Sequence, residues 1–252
     1  MLSIKPNYYS GTSGLLLPVA NKTLYPIEFK DKSRLAYYAS LFNSIEINSS
    51  FYKIPQPATV RKWAESVPQH FKFTFKLWRE ITHNKGLVFN PDDVARFIQA
   101  FNETGDNKGC LLVQFPPGIK SSQLPQLRVL LDCIRESDQQ LKLAVEFRHA
   151  SWYQESTAEV LSGYDAGIVL QDIPSSATPL SFADGKFVYL RLHGPGGKYK
   201  GTYTDEVLYE YSTYIKEWQD EGKTVFVYFN NTMGEALRNL NTLNNWLKTS
   251  AG

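Results

Sequence analysis

Cysteine is scarce in this chain of 252 residues, which contains only Cys110 and Cys133. Two cysteines at this spacing provide neither a disulfide framework nor a metal-ligand motif. Cys110 opens a predicted buried strand, and Cys133 lies in the apolar stripe of a predicted helix. Both are therefore expected to be reduced residues of the core, as is typical of cytoplasmic proteins.

Long apolar runs and a strong imbalance of charge are missing as well. No run of about 18 apolar residues occurs, and residues 1–11 contain no apolar signal segment, so neither membrane insertion nor export is expected. Lysine and arginine number 27 against 25 aspartates and glutamates. The net charge of +2 is too small to indicate nucleic-acid or membrane binding by bulk electrostatics, so any cationic character must be local.

Aromatic residues, by contrast, are abundant. The chain contains 15 Tyr, 15 Phe and 5 Trp, which together make 14% of its residues. Its hydrophobic content of 42% and charged content of 21% are typical of a globular protein that buries most of its apolar surface. We expect some of the aromatic side chains to line a pocket in addition to those that fill the core.

Eight short runs of β-branched and aromatic residues alternate with segments of helical periodicity, which predicts successive βα units. The predicted strands cover residues 8–14, 44–48, 71–76, 110–115, 141–147, 166–171, 187–193 and 224–230. The predicted helices cover residues 31–42, with Asp31 as N-cap, and 58–66, 91–103, 121–137, 153–162, 204–221 and 233–247. No helix is predicted between the sixth and seventh strands.

This pattern predicts one α/β domain over residues 1–252, folded as a single (β/α)8 TIM-type barrel with one irregular unit after strand six. A doubly wound open sheet is the alternative. It is less favoured because no glycine-rich dinucleotide fingerprint follows the first strand. Eight units within 252 residues also favour closure of the sheet into a barrel.

The two faces of the predicted strands differ in chemistry, because alternate side chains of a strand point to opposite sides. One face is apolar and comprises Ile45, Phe73, Phe75, Val113, Phe115, Val145, Phe147, Leu190, Leu192, Val227 and Phe229. The other face is polar or ionisable near the strand ends and comprises Glu46, Asn48, Lys76, Gln114, Glu146, Arg148, Arg191, His193 and Asn230. In a barrel, the first face contacts the helices and the second forms a site at the carboxyl ends of the strands.

Charge and side-chain type indicate an anionic ligand for this site. Lys76, Arg148 and Arg191 are expected to bind it, because a guanidinium group suits phosphate or carboxylate. Glu46 and Glu146 are candidates for general acid and base if their environments separate their pKa values. The alternative is a purely structural network in which these charges neutralise one another within the barrel.

Several further residues are candidates on weaker grounds. His149 and His193 are alternative proton carriers. The glycine-rich segment 193–203, with Gly194 and Tyr199, follows strand seven, where barrels often bind phosphate through backbone amides. A rim of aromatic residues for stacking is also considered, consisting of Phe51, Tyr52, Trp78, Trp152 and Tyr199.

A metal site is less favoured. Glu46, Glu146, His149, His193 and Asp172 have ligand chemistry, yet no HxH, HExxH or Asp-rich spacing occurs, and positive neighbours oppose a cation. Asp172 is doubtful as a site residue because Gln171 and Asp172 cannot both face inward from a regular strand. No cofactor is predicted, and a divalent metal remains an alternative.

A series of motifs resembles the YecE-like family, DUF72. These motifs are GTSG (11–14), LYP (24–26), FNSIEINSSFY (42–52), FKFTFK (71–76), ITH (81–83), QFPP (114–117), VEFRHASW (145–152), YLRLHG (189–194) and VYFNN (227–231). The resemblance implies a TIM-type barrel but no activity, and a relationship to barrel endonucleases and sugar isomerases is analogy at the level of fold. Family members usually continue GTSG with an aromatic residue, whereas this chain has Leu15-Leu16-Leu17-Pro18.

The expected function is a cytoplasmic enzyme, of the hydrolase, lyase or isomerase type, acting on a phosphate-bearing small molecule, nucleotide or nucleic acid. One alternative is a non-catalytic module that binds nucleic acid or another anionic ligand. A second alternative is a metal-dependent, endonuclease-like phosphodiesterase. The sequence leaves the oligomeric state open.

Overall fold

The computed structural model describes residues 7–249, and a single sheet of eight parallel strands forms the centre of this region. The strands are β1 (Tyr8–Thr12), β2 (Ser44–Ile47), β3 (Lys72–Lys76), β4 (Lys108–Gln114), β5 (Lys142–Glu146), β6 (Ala166–Gln171), β7 (Phe187–Leu192) and β8 (Thr224–Phe229). They are ordered β1-β8-β7-β6-β5-β4-β3-β2. The first and last strands in the chain are hydrogen-bonded neighbours, and a parallel bridge between Ser13 and Glu46 brings β1 beside β2. The predicted TIM-type barrel is therefore confirmed.

Helices follow the strands on the outside of the barrel. They are α1 (Arg34–Leu41), α2 (Ser49–Tyr52), α3 (Pro57–Glu65), α4 (Arg79–Thr82), α5 (Pro91–Asn102), α6 (Leu124–Ser137), α7 (Glu155–Gly163), α8 (Asp205–Asp220) and α9 (Ala236–Thr249). Only a 3-10 turn at Leu180–Phe182 lies between β6 and β7, as predicted. In the described part of the chain, no helix has the length and apolar character needed to cross a membrane.

Two local predictions about helices were wrong. Helix α1 begins after Ser33, whose side chain accepts a hydrogen bond from the amide of Ala36, and not after Asp31. The one-turn helices α2 and α4 were missed because each follows a strand directly and is too short to show helical periodicity. Both helices place aromatic and ionisable residues at the carboxyl end of the barrel.

The core has two layers, and strand parity assigns side chains to them correctly. The predicted apolar face packs against the helices in one large buried cluster that includes Ile45, Phe75 and Val227. The opposite face fills the lower lumen with a second cluster formed by Cys110, Leu112, Ala144, Val169, Phe187, Tyr189, Phe226 and Tyr228. Both cysteines are unpaired, Cys110 within this lumen and Cys133 at the edge of the outer core. A packed lower lumen leaves the carboxyl end of the barrel as the open end.

The barrel closes between β1 and β2 largely through side chains instead of a backbone ladder. The hydroxyl of Tyr38 on α1 accepts a hydrogen bond from the amide of Thr12 (2.7 Å) and donates one to the carbonyl of Ser44 (3.2 Å). The carboxamide of Asn43 bonds to the backbone of Tyr8 and Ser10 in the same gap. Gly11 is required there, because a Cβ atom would lie 2.0 Å from the Ser44 carbonyl oxygen. We call this region, formed by Gly11, Tyr38, Asn43 and Ser44, the closing seam.

Candidate functional site

A cavity of about 600 Å³ opens at the carboxyl ends of the strands. Four cationic side chains line it, namely Lys76, Arg79, Arg148 and Arg191. The other lining residues are uncharged and comprise Asn48, Phe51, Tyr52, His83, Gln114, Pro116, Pro117, Ile173, Ser175, Ser176, Tyr199 and Asn230. No described aspartate or glutamate is among them, so the wall of this cavity, which we call the mouth cavity, is positively charged.

Below the mouth cavity lies an ion-pair network centred on Arg191. Its guanidinium group donates to both carboxylate oxygens of Glu46, with Nε–Oε2 at 2.9 Å and Nη2–Oε1 at 2.7 Å. Nη1 lies 2.5 Å from Oε2 of Glu146 and 3.3 Å from Nε2 of His193, and Nη2 lies 3.3 Å from Oγ of Ser13. Arg191 is 1% exposed, and both glutamates are 0% exposed.

This network uses all the donors of Arg191. A guanidinium group has five N–H donors, and in Arg191 they are taken by Glu46, Glu146, His193 and Ser13. The prediction that Arg191 binds an anion directly therefore finds no support in the geometry, because no N–H remains for a ligand. Arg191 instead forms the floor of the mouth cavity.

Both glutamates are held as carboxylates. Burial alone would raise the pKa of Glu46, but Arg191 together with Ser13 and Tyr189 lowers it below its usual value. Burial also opposes ionisation of Glu146, and the charges of Arg148 and Arg191 outweigh it and lower its pKa. The environments of the two carboxyl groups thus shift their pKa values in the same direction. Glu46 and Glu146 are candidates for general acid and base only if their environments separate their pKa values. That condition is not met.

Arg148 is oriented by three partners. Nε donates to Glu146, Nη2 lies 3.0 Å from Nε2 of His193, and Nη1 lies 3.3 Å from the hydroxyl of Tyr199. Three of its five N–H groups are thereby engaged, and two remain at the wall of the mouth cavity. Arg148 therefore has the free donors that Arg191 lacks.

The tautomer of His193 follows from its neighbours. Its Nε2 faces Arg148 and Arg191, which can only donate, so Nε2 must accept. Its Nδ1 therefore carries the proton and donates to Oδ1 of Asp172 at 3.2 Å. Burial, with the two arginines, lowers the pKa of His193 although Asp172 opposes the shift. His193 is thus a neutral acceptor that positions guanidinium groups.

Lys76, at the end of β3, is a half-buried cation whose described neighbours include an aromatic ring but no ion-pair partner. Its ammonium group lies 4.0 Å from the ring centroid of Phe51. Among the described residues no carboxylate lies at ion-pair distance from it, whereas Arg148 and Arg191 each have a glutamate partner. Burial and the charge of Arg191 lower the pKa of Lys76 to about 8. Its amine is therefore uncharged in part near neutral pH.

His83, the last residue of the ITH motif (81–83), lines the cavity at the end of α4. Its ring packs edge-on against Phe51, with centroids 4.9 Å apart, and Nδ1 lies 2.8 Å from the Thr82 hydroxyl. Burial and the charge of Lys76 lower the pKa of His83 to about 4. At neutral pH it is an uncharged imidazole.

Four other predicted residues line the mouth cavity, namely Asn48, Tyr52, Gln114 and Asn230. The amide nitrogen of Asn48 donates to Ser13 at 2.6 Å, and its buried Oδ1 has no hydrogen-bond partner within residues 7–249. Gln114 donates to the carbonyl of Phe115. Tyr52 is 69% exposed at the rim.

His149 does not reach the mouth cavity. Its Nδ1 accepts a hydrogen bond from the amide of Ser151 at 3.1 Å and thereby caps the 3-10 turn Ala150–Trp152. The side chain lies outside the regular strand, where parity no longer predicts direction. His149 is a capping residue, which corrects its assignment as a proton carrier at the site.

The glycine-rich loop contributes a side chain instead of an amide cradle. The amide of Gly194 donates to the Tyr203 hydroxyl and that of Gly197 donates to the Gly194 carbonyl, so neither faces an anion. Tyr199, with φ of 62°, is held by a hydrogen bond from its amide to the His193 carbonyl and places its ring at the cavity wall. Gly194 shapes this loop and does not line the cavity.

The predicted aromatic rim is present only in part. Phe51, Tyr52 and Tyr199 line the mouth cavity. Trp152 is buried in the core and stacks on Phe147 at 4.3 Å, and Trp78 lines a neighbouring groove. Leu15, Leu16 and Leu17, which stand where family members usually have an aromatic residue, pack against the outer core and not against the cavity.

Sequence reasoning missed Ser13 and Tyr189 of the network and left Asp172 doubtful. Ser13 and Tyr189 each donate a hydrogen bond to Glu46, and Asp172 orients His193 and accepts from the Tyr203 hydroxyl. Parity counted against Asp172 because it follows directly on Gln171, but β6 ends at Gln171 and the backbone turns there. The GTSG motif was a signal for Ser13. Tyr189 follows the same parity as Arg191, which could have identified it.

Residues 7–249 contain no group of three or more His, Cys, Asp or Glu side chains that could hold a metal ion. The carboxylates of Glu46 and Glu146 are already occupied by arginines. The wall of the mouth cavity thus presents cationic side chains, among them the Lys76 amine, beside the neutral imidazole of His83.

Comparison with known proteins agrees with the fold. The family model described as "Protein of unknown function DUF72" matches residues 9–251. The UPF0759 protein YunF of Bacillus subtilis (strain 168) is 26% identical over 246 residues, covering 84% of this chain and 85% of YunF.

Two solved structures of DUF72 family proteins are also similar. The protein from Enterococcus faecalis V583 has a TM-score of 0.78 at 20% identity, over 97% of each chain. The one from Thermotoga maritima MSB8 has a TM-score of 0.75 at 26% identity, over 96% of this chain and 99% of that one. With a family model matched over almost its whole length, this chain belongs to the DUF72 family, whose fold is a TIM-type barrel.

Proposed function

We propose that this protein is an enzyme that binds a small anionic, phosphate-bearing substrate in the mouth cavity. The observation that carries the proposal is the charge of the cavity wall, where Lys76, Arg79 and Arg148 face the ligand above the paired Arg191 and no described carboxylate lines the cavity. Arg148 supplies two N–H donors, Lys76 supplies positive charge, and Arg79 lies at the rim. A volume of about 600 Å³ suits a metabolite or a nucleotide.

In this proposal the buried carboxylates position the cations and do not transfer protons. Glu46 and Glu146 fix Arg191, and Glu146 together with Asp172 and His193 fixes Arg148. Two groups at the cavity wall have side-chain chemistry suited to proton transfer. They are the amine of Lys76, whose pKa is lowered to about 8, and the neutral imidazole of His83.

Isothermal titration with phosphate, pyrophosphate and nucleoside monophosphates tests the proposal. Lys76→Met and Arg148→Met are each expected to weaken binding at least tenfold, because each removes a cation from a partly desolvated wall. Lys186→Met is the control, since Lys186 is an exposed lysine at the opposite end of the barrel, paired with Asp165. Equal binding by all three variants would rule out the mouth cavity as the anion site.

A binding module for nucleic acid is a second candidate, and one observation favours it. Tyr52 belongs both to the mouth cavity and to an adjoining open groove with Lys53, Trp78 and Arg96. A strand whose phosphate occupies the mouth cavity would pass along aromatic and basic side chains there. Binding of a single-stranded oligonucleotide that weakens steeply with salt, without any chemical change, would favour this candidate over the enzyme.

A metal-dependent phosphodiesterase is the weakest candidate. The two carboxylates nearest the cavity are taken up by Arg148 and Arg191, and cations at the wall repel a metal ion.

A further inference from the structure

We propose that the Lys76 amine forms an imine with the carbonyl group of a small anionic aldehyde or ketone held in the mouth cavity. The proposal rests on the anion-binding function proposed above, and it adds the reactive group of the ligand and the atom of the protein that meets it. A lysine serves this chemistry when its amine is accessible to the ligand, shielded from bulk water and not fixed in an ion pair.

Lys76 meets these three conditions. Its side chain is half-buried and extends from the end of β3 into the mouth cavity. The amine lies over the face of Phe51, which shields one side of it from water. Within the described residues it has no carboxylate partner at ion-pair distance, whereas Arg148 and Arg191 are both paired with glutamate.

Charged groups face Lys76 from four elements. Glu46 lies on β2, Glu146 and Arg148 at the end of β5, and Arg191 on β7, and His83 follows α4. Burial and the two arginines favour the neutral amine, the two glutamates oppose this, and the result is a pKa of about 8. Relative to an ordinary lysine with a pKa near 10.4, the neutral fraction at pH 7 rises roughly a hundredfold or more.

The reaction needs no cofactor and no oxidant. The lone pair of neutral Nζ attacks the carbonyl carbon, an N–C bond forms, and the C=O π electrons move to oxygen, which takes up a proton. Loss of one Nζ proton to water gives the neutral carbinolamine. Protonation of its hydroxyl group then lets water leave while the nitrogen lone pair forms the C=N bond of a protonated imine. Loss of the remaining Nζ proton to water gives the neutral imine, so that amine and carbonyl are converted to imine and one water with no net change in protons.

Arg148 determines which carbonyl compounds react. Its two remaining N–H groups hold the anionic end of the ligand, while its other donors are fixed by Glu146, His193 and Tyr199. A compound with a phosphate or carboxylate a few bonds from its carbonyl satisfies both groups at once. A neutral carbonyl compound of the same size lacks the second contact and gains no local concentration.

The experiment traps the imine by reduction. The protein is treated with glycolaldehyde phosphate, or with neutral glycolaldehyde as the matched probe, and sodium borohydride converts any imine to a stable secondary amine. Peptide mass spectrometry then gives the modified fraction of Lys76 and of the exposed Lys186 in the same molecule. Because both sites are read in the wild-type protein, the comparison does not depend on the folding of a variant.

Lys76 is expected to be modified at least tenfold faster than Lys186 by glycolaldehyde phosphate. This preference should be smaller with neutral glycolaldehyde, which still meets the more neutral Lys76 amine but lacks the contact with Arg148. The rate at Lys76 should level off above pH 8 to 9, where the amine is already neutral. Lys76→Arg keeps the charge but not the nucleophile, so it should bind phosphate without forming the adduct.

Two other outcomes have separate meanings. If phosphate binds in the mouth cavity but Lys76 and Lys186 react equally, the imine proposal is wrong and the anion site stands. If phosphate does not bind and neither probe prefers Lys76, both proposals are wrong.

Discussion

Lys76 and its neighbours illustrate, at the scale of single residues, how pairing decides the role of a charge. Arg191 has a partner for each of its five donors and so has no capacity to bind a ligand. Lys76 is half-buried without a carboxylate partner among the described residues, and its burial costs stability. A site that retains such a cation is expected to do so for function, because stability alone would select against it.

Lys76→Met is therefore expected to stabilise the protein by roughly 1–3 kcal/mol at pH 7. The folded-state pKa of about 8 lies below the unfolded value, so the cost of the charged lysine is fully present below pH 8. It disappears as the pH rises towards 10.4. Urea unfolding of the wild type and of Lys76→Met at pH 7, 9 and 10.5 should show that the variant's gain in free energy of unfolding becomes smaller as the pH rises.

The matched control is Lys186→Met, which removes an exposed lysine and should change the free energy of unfolding by less than about 0.5 kcal/mol. Destabilisation by Lys76→Met at pH 7 would contradict the interpretation, since it would mean that the lysine is paired in the folded state.

Strand parity predicted most site residues but not their roles. Glu46, Glu146 and Arg191 follow from a period of two along regular strands. Parity is unreliable beyond a strand end: Arg148 still follows it two residues past β5, whereas His149 turns away to cap a 3-10 turn and Asp172 turns towards His193. Which donor meets which acceptor depends on distances across the barrel, and no sequence pattern contains them.

The closing seam shows what single elements contribute. Strands β1 and β2 have few backbone hydrogen bonds to each other, and the Tyr38 hydroxyl on α1 satisfies Thr12 and Ser44 across the gap. The sequence predicted the strands, α1 and the closed barrel. It did not predict that a helix residue would complete the closure, because Tyr38 reads as one more apolar residue of an amphipathic helix.

Tyr38→Phe is expected to lower the free energy of unfolding by about 1–3 kcal/mol, since it leaves the Thr12 amide and the Ser44 carbonyl buried without a partner. Denaturant unfolding measures the loss, and hydrogen exchange should accelerate at the Thr12 amide before the rest of β1.

Tyr214→Phe is the control for this substitution, because the Tyr214 hydroxyl donates to Glu210 on the exposed surface of α8. Its effect should stay below about 0.5 kcal/mol. If Tyr38→Phe were equally mild, the hydroxyl would not be needed to close the barrel.

Across the whole molecule, Arg191 connects parts of the barrel that are far apart in sequence. It joins β7 to Glu46 on β2, to Glu146 on β5 and to Ser13 after β1. A buried ion-pair network does not by itself make a protein more stable than an apolar core would. Removal of one member, however, leaves its partners charged and buried, which costs stability. The mouth cavity therefore shares its floor with a major determinant of the fold.

Arg191→Met is expected to destabilise the protein by roughly 3–5 kcal/mol at pH 7, against less than about 1 kcal/mol for Arg61→Met in the exposed pair with Glu103.

In the wild type the lowered pKa of Glu46 gives stability that is present above about pH 4.3 and lost as the pH falls further. In the Arg191→Met variant Glu46 is a buried carboxylate without its cation, which costs stability. Protonation of Glu46 at low pH removes that cost. Chemical denaturation should therefore show that the difference in free energy of unfolding between wild type and variant narrows from pH 7 to pH 4. A difference that stays constant over this range would mean that the loss of stability does not come from the charge of Glu46.

The pairing of β1 with β8 determines when this barrel can be completed during translation. Tyr8 lies opposite Val225, so β1 has its backbone partner in β8, which is the last of the described strands to be synthesised. Until β8 is made, β1 can contact β2 through the closing seam, the bridge at Ser13 and the hydrogen bond from the Gly14 amide to the Glu46 carbonyl. We therefore expect the nascent chain to keep one edge of β1 unpaired until then, and an unpaired strand edge favours aggregation of a folding intermediate.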